Sequence, residues 1–179
     1  MTYDFDLGPH SRPITTSSSD AQLWFDRGLI WTYGFNHDEA VHCFRQAVQA
    51  DPDCAMAHWG IAYAIGPNYN KPWEAFGRKE VAQALATAYE EANLAVSLSD
   101  YCTPAERDLI AALRHRYPQT EPLDDMMGWV DDYADAMRGV YAKHSEDSDI
   151  GSLFAEAMMN RTPWSLWNLD SGEPADGAD

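Results

Sequence analysis

The stretch AQLWFDRGLIWTYGFNHDEAVHCFRQAVQADP, Ala21 to Pro52, decides the fold. Large side chains at Trp24, Trp31 and Phe44 and small ones at Gly28, Ala40 and Ala47 recur at helical offsets on either side of Gly34 to Asn36. That spacing predicts two helices folded against each other, with Gly28 and Ala40 where they approach most closely. Asn36 followed by Glu39 has the pattern of a capping box at the start of the second helix, and Asp51-Pro52 ends it.

Upstream, Gly8, Pro9 and Pro13 and the run from Thr15 to Ser19 predict an extended arm over residues 1–18, leading into a helix capped at Ser19 or Asp20. Downstream, a helix is expected over Ala55 to Ile65. Gly66 to Trp73 (GPNYNKPW) then interrupts the pattern as a long loop, of the kind that often carries function. Arg78 to Ser97 returns to helical period with Val81, Leu85, Ala88, Ala92 and Ala95 inward. Thr103-Pro-Ala-Glu106 is a second capping box, opening a helix on which Ala105, Leu109, Ala112, Leu113 and Arg116 share a side. Two further periodic segments follow, one from Leu123 through Met126, Val130, Tyr133 and Met137 to Tyr141, the other from Ile150 to Met158. The expected fold is all-α, about seven helices forming a helical domain over residues 19–168, with residues 169–179 a disordered acidic tail.

Composition narrows the function classes. The chain has 29 acidic and 12 basic residues, a formal charge of −17, which repels nucleic-acid backbones and anionic lipid surfaces. At 45% hydrophobic residues it is too apolar to remain unfolded. Three cysteines without a CxxC pair fit a reducing compartment, and a cytoplasmic location is expected. No apolar run is long enough to span a membrane. The fingerprints GxGxxG, GxxxxGK[ST], GxSxG and HExxH do not occur, which removes the support for dinucleotide, nucleotide, hydrolase and zincin chemistry.

Two groups of residues could carry chemistry. Cys54 and His58, four apart on one helical face, with His37 in the preceding hairpin, are soft and borderline ligands for a transition metal such as zinc or copper. The structural alternative is that His37 and His58 stand where such hairpins carry packed aromatic rings. In the loop, Asn68 and Asn70 could offer amides to a ligand beside the flat walls of Tyr69 and Trp73, whereas the structural alternative is turn chemistry. Trp164 and Trp167 are expected as a hydrophobic plug on the last helix or a surface for further repeats.

The hairpin from Ala21 to Pro52 resembles a tetratricopeptide unit of 34 residues. Phe35-Asn-His-Asp-Glu-Ala40, Cys54-Ala-Met56, Trp59-Gly60, Gly66-Pro-Asn-Tyr-Asn70 and Ala155-Glu-Ala-Met-Met-Asn160 are together similar to a family of tetratricopeptide-like proteins of bacteria and fungi. The resemblance runs from about Asp20 to Asn168. It implies a right-handed array of helical hairpins, one regular unit followed by divergent ones, and longer relatives that continue into further repeats rich in histidine. On this basis the expected function is a binding or assembly module recognising a peptide or partner protein, possibly completed by a second copy or a subunit supplying further repeats. The alternative is a metal-dependent enzyme subunit using His37, Cys54 and His58.

Overall fold

The computed structural model describes residues 3–175. Seven α-helices occur among them: α1 Ser19–Tyr33, α2 His37–Ala50, α3 Ala55–Ile65, α4 Arg78–Ser97, α5 Pro104–Leu113, α6 Met127–Lys143 and α7 Ser148–Met159. Short 3-10 turns lie at Trp73–Ala75, Ser99–Tyr101 and Arg114–Arg116, and the described residues contain only isolated β-bridges and no strand. The fold is therefore all-α, as the periodicity predicts. α1 packs on α2 and α3, and α3 packs in turn on α2, α4 and α5. Chain order continues through α4 on α5, α5 on α6 and α6 on α7.

α3 is the centre of the molecule. Every residue from Ala55 to Ala64 is buried, which is what a helix apolar on all sides requires. Its register against α2 is set by one ring. A β-carbon built on Gly28 of α1 would stand 2.6 Å from the Phe44 ring and one on Gly60 of α3 closer still, so only glycine on both helices admits that side chain. Phe44 is fully buried, and Phe25 packs against it at 5.5 Å between ring centroids. The close approach expected at Gly28 thus lies between the helix backbone and an aromatic ring of α2.

Several local expectations are corrected. α1 is capped by Ser18, one residue earlier than expected, its hydroxyl accepting from the Ala21 N–H. Asn36 does cap α2 by accepting from Glu39 N–H, but Glu39 does not reach back: its carboxylate accepts from the Tyr3 hydroxyl at 3.0 Å. That bond belongs to the arm, which is tied to the helical domain at Tyr3 and again from His10 to Thr16. Trp31 Nε1 donates to Tyr3 Oη, Arg12 donates twice to Asp147, and Thr15 donates through its amide and hydroxyl to Glu106. Leu123 falls outside α6 and is exposed, because the helix begins only at Met127. The tail does not run on as an open chain over its described part: Asn168 to Glu173 turn back and Trp167 bridges Pro174, while residues 176–179 lie outside the described residues.

Candidate functional site

The loop from Gly66 to Ala75 is the irregular element that the sequence singles out, and its shape follows from three anchors. Asn68 and Lys71 exchange backbone hydrogen bonds, closing a tight turn. The Asn68 side-chain oxygen accepts from the N–H groups of Asn70 and Lys71, an Asx turn that satisfies both donors. Below the turn, the Arg116 guanidinium donates to the Pro67 carbonyl, and Gly66 lies against the Tyr117 ring. The turn reading therefore accounts for the Asn68 oxygen.

The four loop residues separate. Asn68 is buried and lines a cleft, and Asn70 stands exposed at the tip. Tyr69 packs on Trp164 with ring centroids 5.4 Å apart and the planes tilted by 31°. Trp73, expected as a wall facing ligand, points inward: it is 5% exposed and packs on Phe76 and Tyr117. Trp164 and Trp167 remain mostly exposed, so neither forms the expected plug; α7 instead buries Ile150, Leu153 and Ala157 and stacks Phe154 on Tyr141 of α6.

The cleft has a volume of about 530 Å³ and opens between α2 and α4 over the C-terminal end of α3. Its apolar walls are Val41, Ile65, Phe76 and Ala84, and its polar groups include His37, Asp38, Arg45 and Gln83. Lys71 lies over the Phe76 ring at 4.4 Å and pairs with Glu80 at the rim. Glu80 is exposed at the rim, its carboxyl held below the usual range by Lys71 and the Gly77 N–H.

The three candidate metal ligands are not brought together. Among the described residues no group of three or more His, Cys, Asp or Glu side chains is placed to hold a metal ion. Cys54 is the buried N-cap residue of α3, and burial pushes its thiol up to about 11, away from the thiolate a metal needs. His58 has Nδ1 2.6 Å from Glu91 Oε2 and Nε2 3.0 Å from the Pro52 carbonyl. Both partners accept, so both ring nitrogens donate and neither is left for a metal. Burial acts against the charge on His58, but the Glu91 and Pro52 hydrogen bonds outweigh it and the pKa is raised.

His37 is elsewhere, at the first turn of α2, where it lines the cleft and also a second cavity behind it. Burial lowers its pKa, only partly opposed by Glu156, so the ring is neutral at pH 7. Its neighbour Phe35 has φ 57°, and its N–H bonds the Thr32 carbonyl while Asn36 N–H bonds that of Trp31. This is a Schellman closure with a phenylalanine in the left-handed position where glycine is usual, although Gly34 is adjacent. Backbone strain is thus stored next to His37.

What sequence reasoning missed is the polar centre under the loop. Arg116 is 2% exposed, with its guanidinium carbon 5.0 Å from the Tyr133 ring centroid, 5.1 Å from Tyr63 and 5.9 Å from Tyr117. Tyr63 donates to Glu156 at 2.9 Å, and Asn160 donates to the other Glu156 oxygen at 2.6 Å. The signal was available: Arg116 is a charge continuing the apolar stripe of α5 into the 3-10 turn that follows it, and Glu156 and Asn160 belong to the motif from Ala155 to Asn160. Three separate motifs, around His37, Pro67 and Glu156, meet here. No protein-family model matches the chain, and no curated protein matches it.

Proposed function

We propose that the chain is a tetratricopeptide-like binding module whose recognition surface is the cleft between α2 and α4, and that its ligand is an extended peptide segment carrying a basic side chain. The observation that carries this reading is the cleft itself: two helices of successive hairpins flank an open groove of about 530 Å³, with apolar walls and a floor of short side chains at the end of α3. Val41, Ile65 and Phe76 would receive apolar side chains. The Asp38 carboxylate at its edge, in a chain of formal charge −17, would favour a cationic group and speed its encounter, Glu80 being already paired with Lys71. The Asx turn at Asn68 and the Arg116 bond to Pro67 keep the loop wall in place before ligand arrives, which lowers the ordering cost of binding.

The test is fluorescence anisotropy of the purified chain with labelled peptides that differ in charge. Basic peptides with apolar flanks should bind, and Asp38→Lys, at an exposed position, should weaken them and flatten their salt dependence. Failure of every peptide to bind, or equal binding by the charge-reversed protein, would contradict the reading.

A further inference from the structure

Glu156 of α7 is a half-buried carboxylate without a counter-ion. Among the described residues no lysine, arginine or histidine stands within ion-pair distance of it. Two neutral groups hold it instead, the Tyr63 hydroxyl at 2.9 Å on one oxygen and the Asn160 amide at 2.6 Å on the other. An ionised carboxylate offers about four lone pairs, so these two bonds leave acceptor capacity on each oxygen. Arg116 does not use it: its guanidinium donates to the Pro67 carbonyl and lies against the rings of Tyr63 and Tyr133. Burial keeps the nearby His37 imidazole neutral, although there the charge of Glu156 outweighs that of Arg116, so histidine supplies no counter-charge either.

Glu156 and Tyr63 both line a cavity of about 330 Å³ between the α1–α2 junction and α7. Phe35, Leu153 and Met159 give it chiefly apolar walls. Three of its other polar side chains are committed elsewhere: Tyr33 donates to Asp149, Thr32 to the Gly28 carbonyl and Ser152 to the Ser148 carbonyl. Glu156 and the acceptor nitrogen of neutral His37 are what remains to meet a ligand. We propose that this cavity binds a small primary amine with an apolar body, of the arylalkyl class, its ammonium on Glu156 and its body among Phe35, Leu153 and Met159. An ammonium has three donors and no acceptor, which suits a wall whose free groups accept. Its charged hydrogen bond to Glu156 forms away from bulk water, where it is worth more than at the surface, and the Phe35 and Tyr63 rings add attraction for a cation. A carboxylate ligand would face Glu156 directly, and a neutral one would leave it without its counter-ion. The site shares only His37 with the lining of the peptide cleft, and it stands whether or not peptides bind.

The experiment is calorimetric titration of the full chain with phenethylamine, and in parallel with phenethyl alcohol, phenylacetate and methylamine. Saturable binding of phenethylamine is expected, at least tenfold tighter than the alcohol, which has the shape without the charge, and than phenylacetate, which has the opposite charge. Methylamine has the charge without the body; it should also bind at least tenfold more weakly, which separates the cavity from general attraction to a chain of formal charge −17. Glu156→Gln should weaken phenethylamine about tenfold or more, to the level of the alcohol. Ala155→Trp adds a large side chain at an exposed position of the cavity wall, so it should abolish amine binding while the melting temperature stays close to that of the wild type, and it decides the matter if Glu156→Gln does not fold. No saturable signal with phenethylamine, or the alcohol, phenylacetate or methylamine binding as tightly, would overturn the site. A folded Glu156→Gln or Ala155→Trp protein that binds phenethylamine as the wild type does would overturn it as well.

Discussion

Gly66 lacks a β-carbon where the Tyr117 ring stands: one built there would lie 2.8 Å from Tyr117 Cζ and nearer still to its hydroxyl. The first residue of the GPNYN loop is thereby seated directly on the buried aromatic centre. Gly66→Ala must displace a ring that is 1% exposed, and a cost of about 1 to 3 kcal/mol is expected for such overpacking. Thermal denaturation checks it. Tyr117→Phe in the Gly66→Ala background should recover part of the loss, because the worst contact is with the hydroxyl; a simple sum of the two single effects would show that the contact is not the cause.

Phe44 between Gly28 and Gly60 gives a second coupled set. Gly28→Leu should be severely destabilising, by about 3 kcal/mol or more, since the added side chain meets ring carbons from the first atom. Gly28→Ala should be milder in a Phe44→Leu background than in the wild type. An unchanged melting temperature for Gly28→Leu would place the helices differently from the arrangement described.

Phe35 holds the left-handed position beyond α1. Phe35→Gly removes a backbone penalty of about 1 to 2 kcal/mol and loses only a partly exposed ring, so the variant should melt no lower than the wild type. A melting temperature below that of the wild type would contradict the expectation.

Two histidines should give stability opposite pH dependence. His58 has a raised folded pKa, so its contribution is complete below the unfolded value of about 6.5 and is lost as pH rises through the folded value. His37 has a lowered one: above about 6.5 it is neutral in both states, and below that the unfolded chain takes the proton first, so stability falls as pH falls. Melting curves from about pH 5 to about pH 8 should therefore show His37→Gln losing less stability than wild type on the acid side, and His58→Gln losing less on the basic side. Parallel curves for either variant would exclude the corresponding assignment.

The helices were legible where pattern and environment agree. Ala55–Ile65 and Arg78–Ser97 have the bounds that their periodicity predicts, and Thr103 with Glu106 forms the expected capping box. Failures share a cause in long-range contacts. Glu39 leaves its helix cap because Tyr3, far off in sequence, offers a hydroxyl. Trp73 turns inward because Tyr117 and Phe76 provide a pocket that local sequence cannot reveal. His58 and Cys54 share a helix, yet Glu91 and Pro52 claim the imidazole and burial neutralises the thiol. For the polar centre, Arg116 on an apolar stripe was readable as an anomaly, whereas its meeting with Tyr63, Tyr117, Tyr133 and Glu156 depends on how three helices and a turn assemble.

The most direct measurement is amide chemical-shift perturbation by nuclear magnetic resonance on titration with the tightest peptide of the anisotropy series. Shifts confined to the start of α2, the loop from Gly66 to Phe76 and the first half of α4 are the predicted result. Saturable shifts centred on another face, or none along these three segments, would contradict a peptide-binding cleft between α2 and α4.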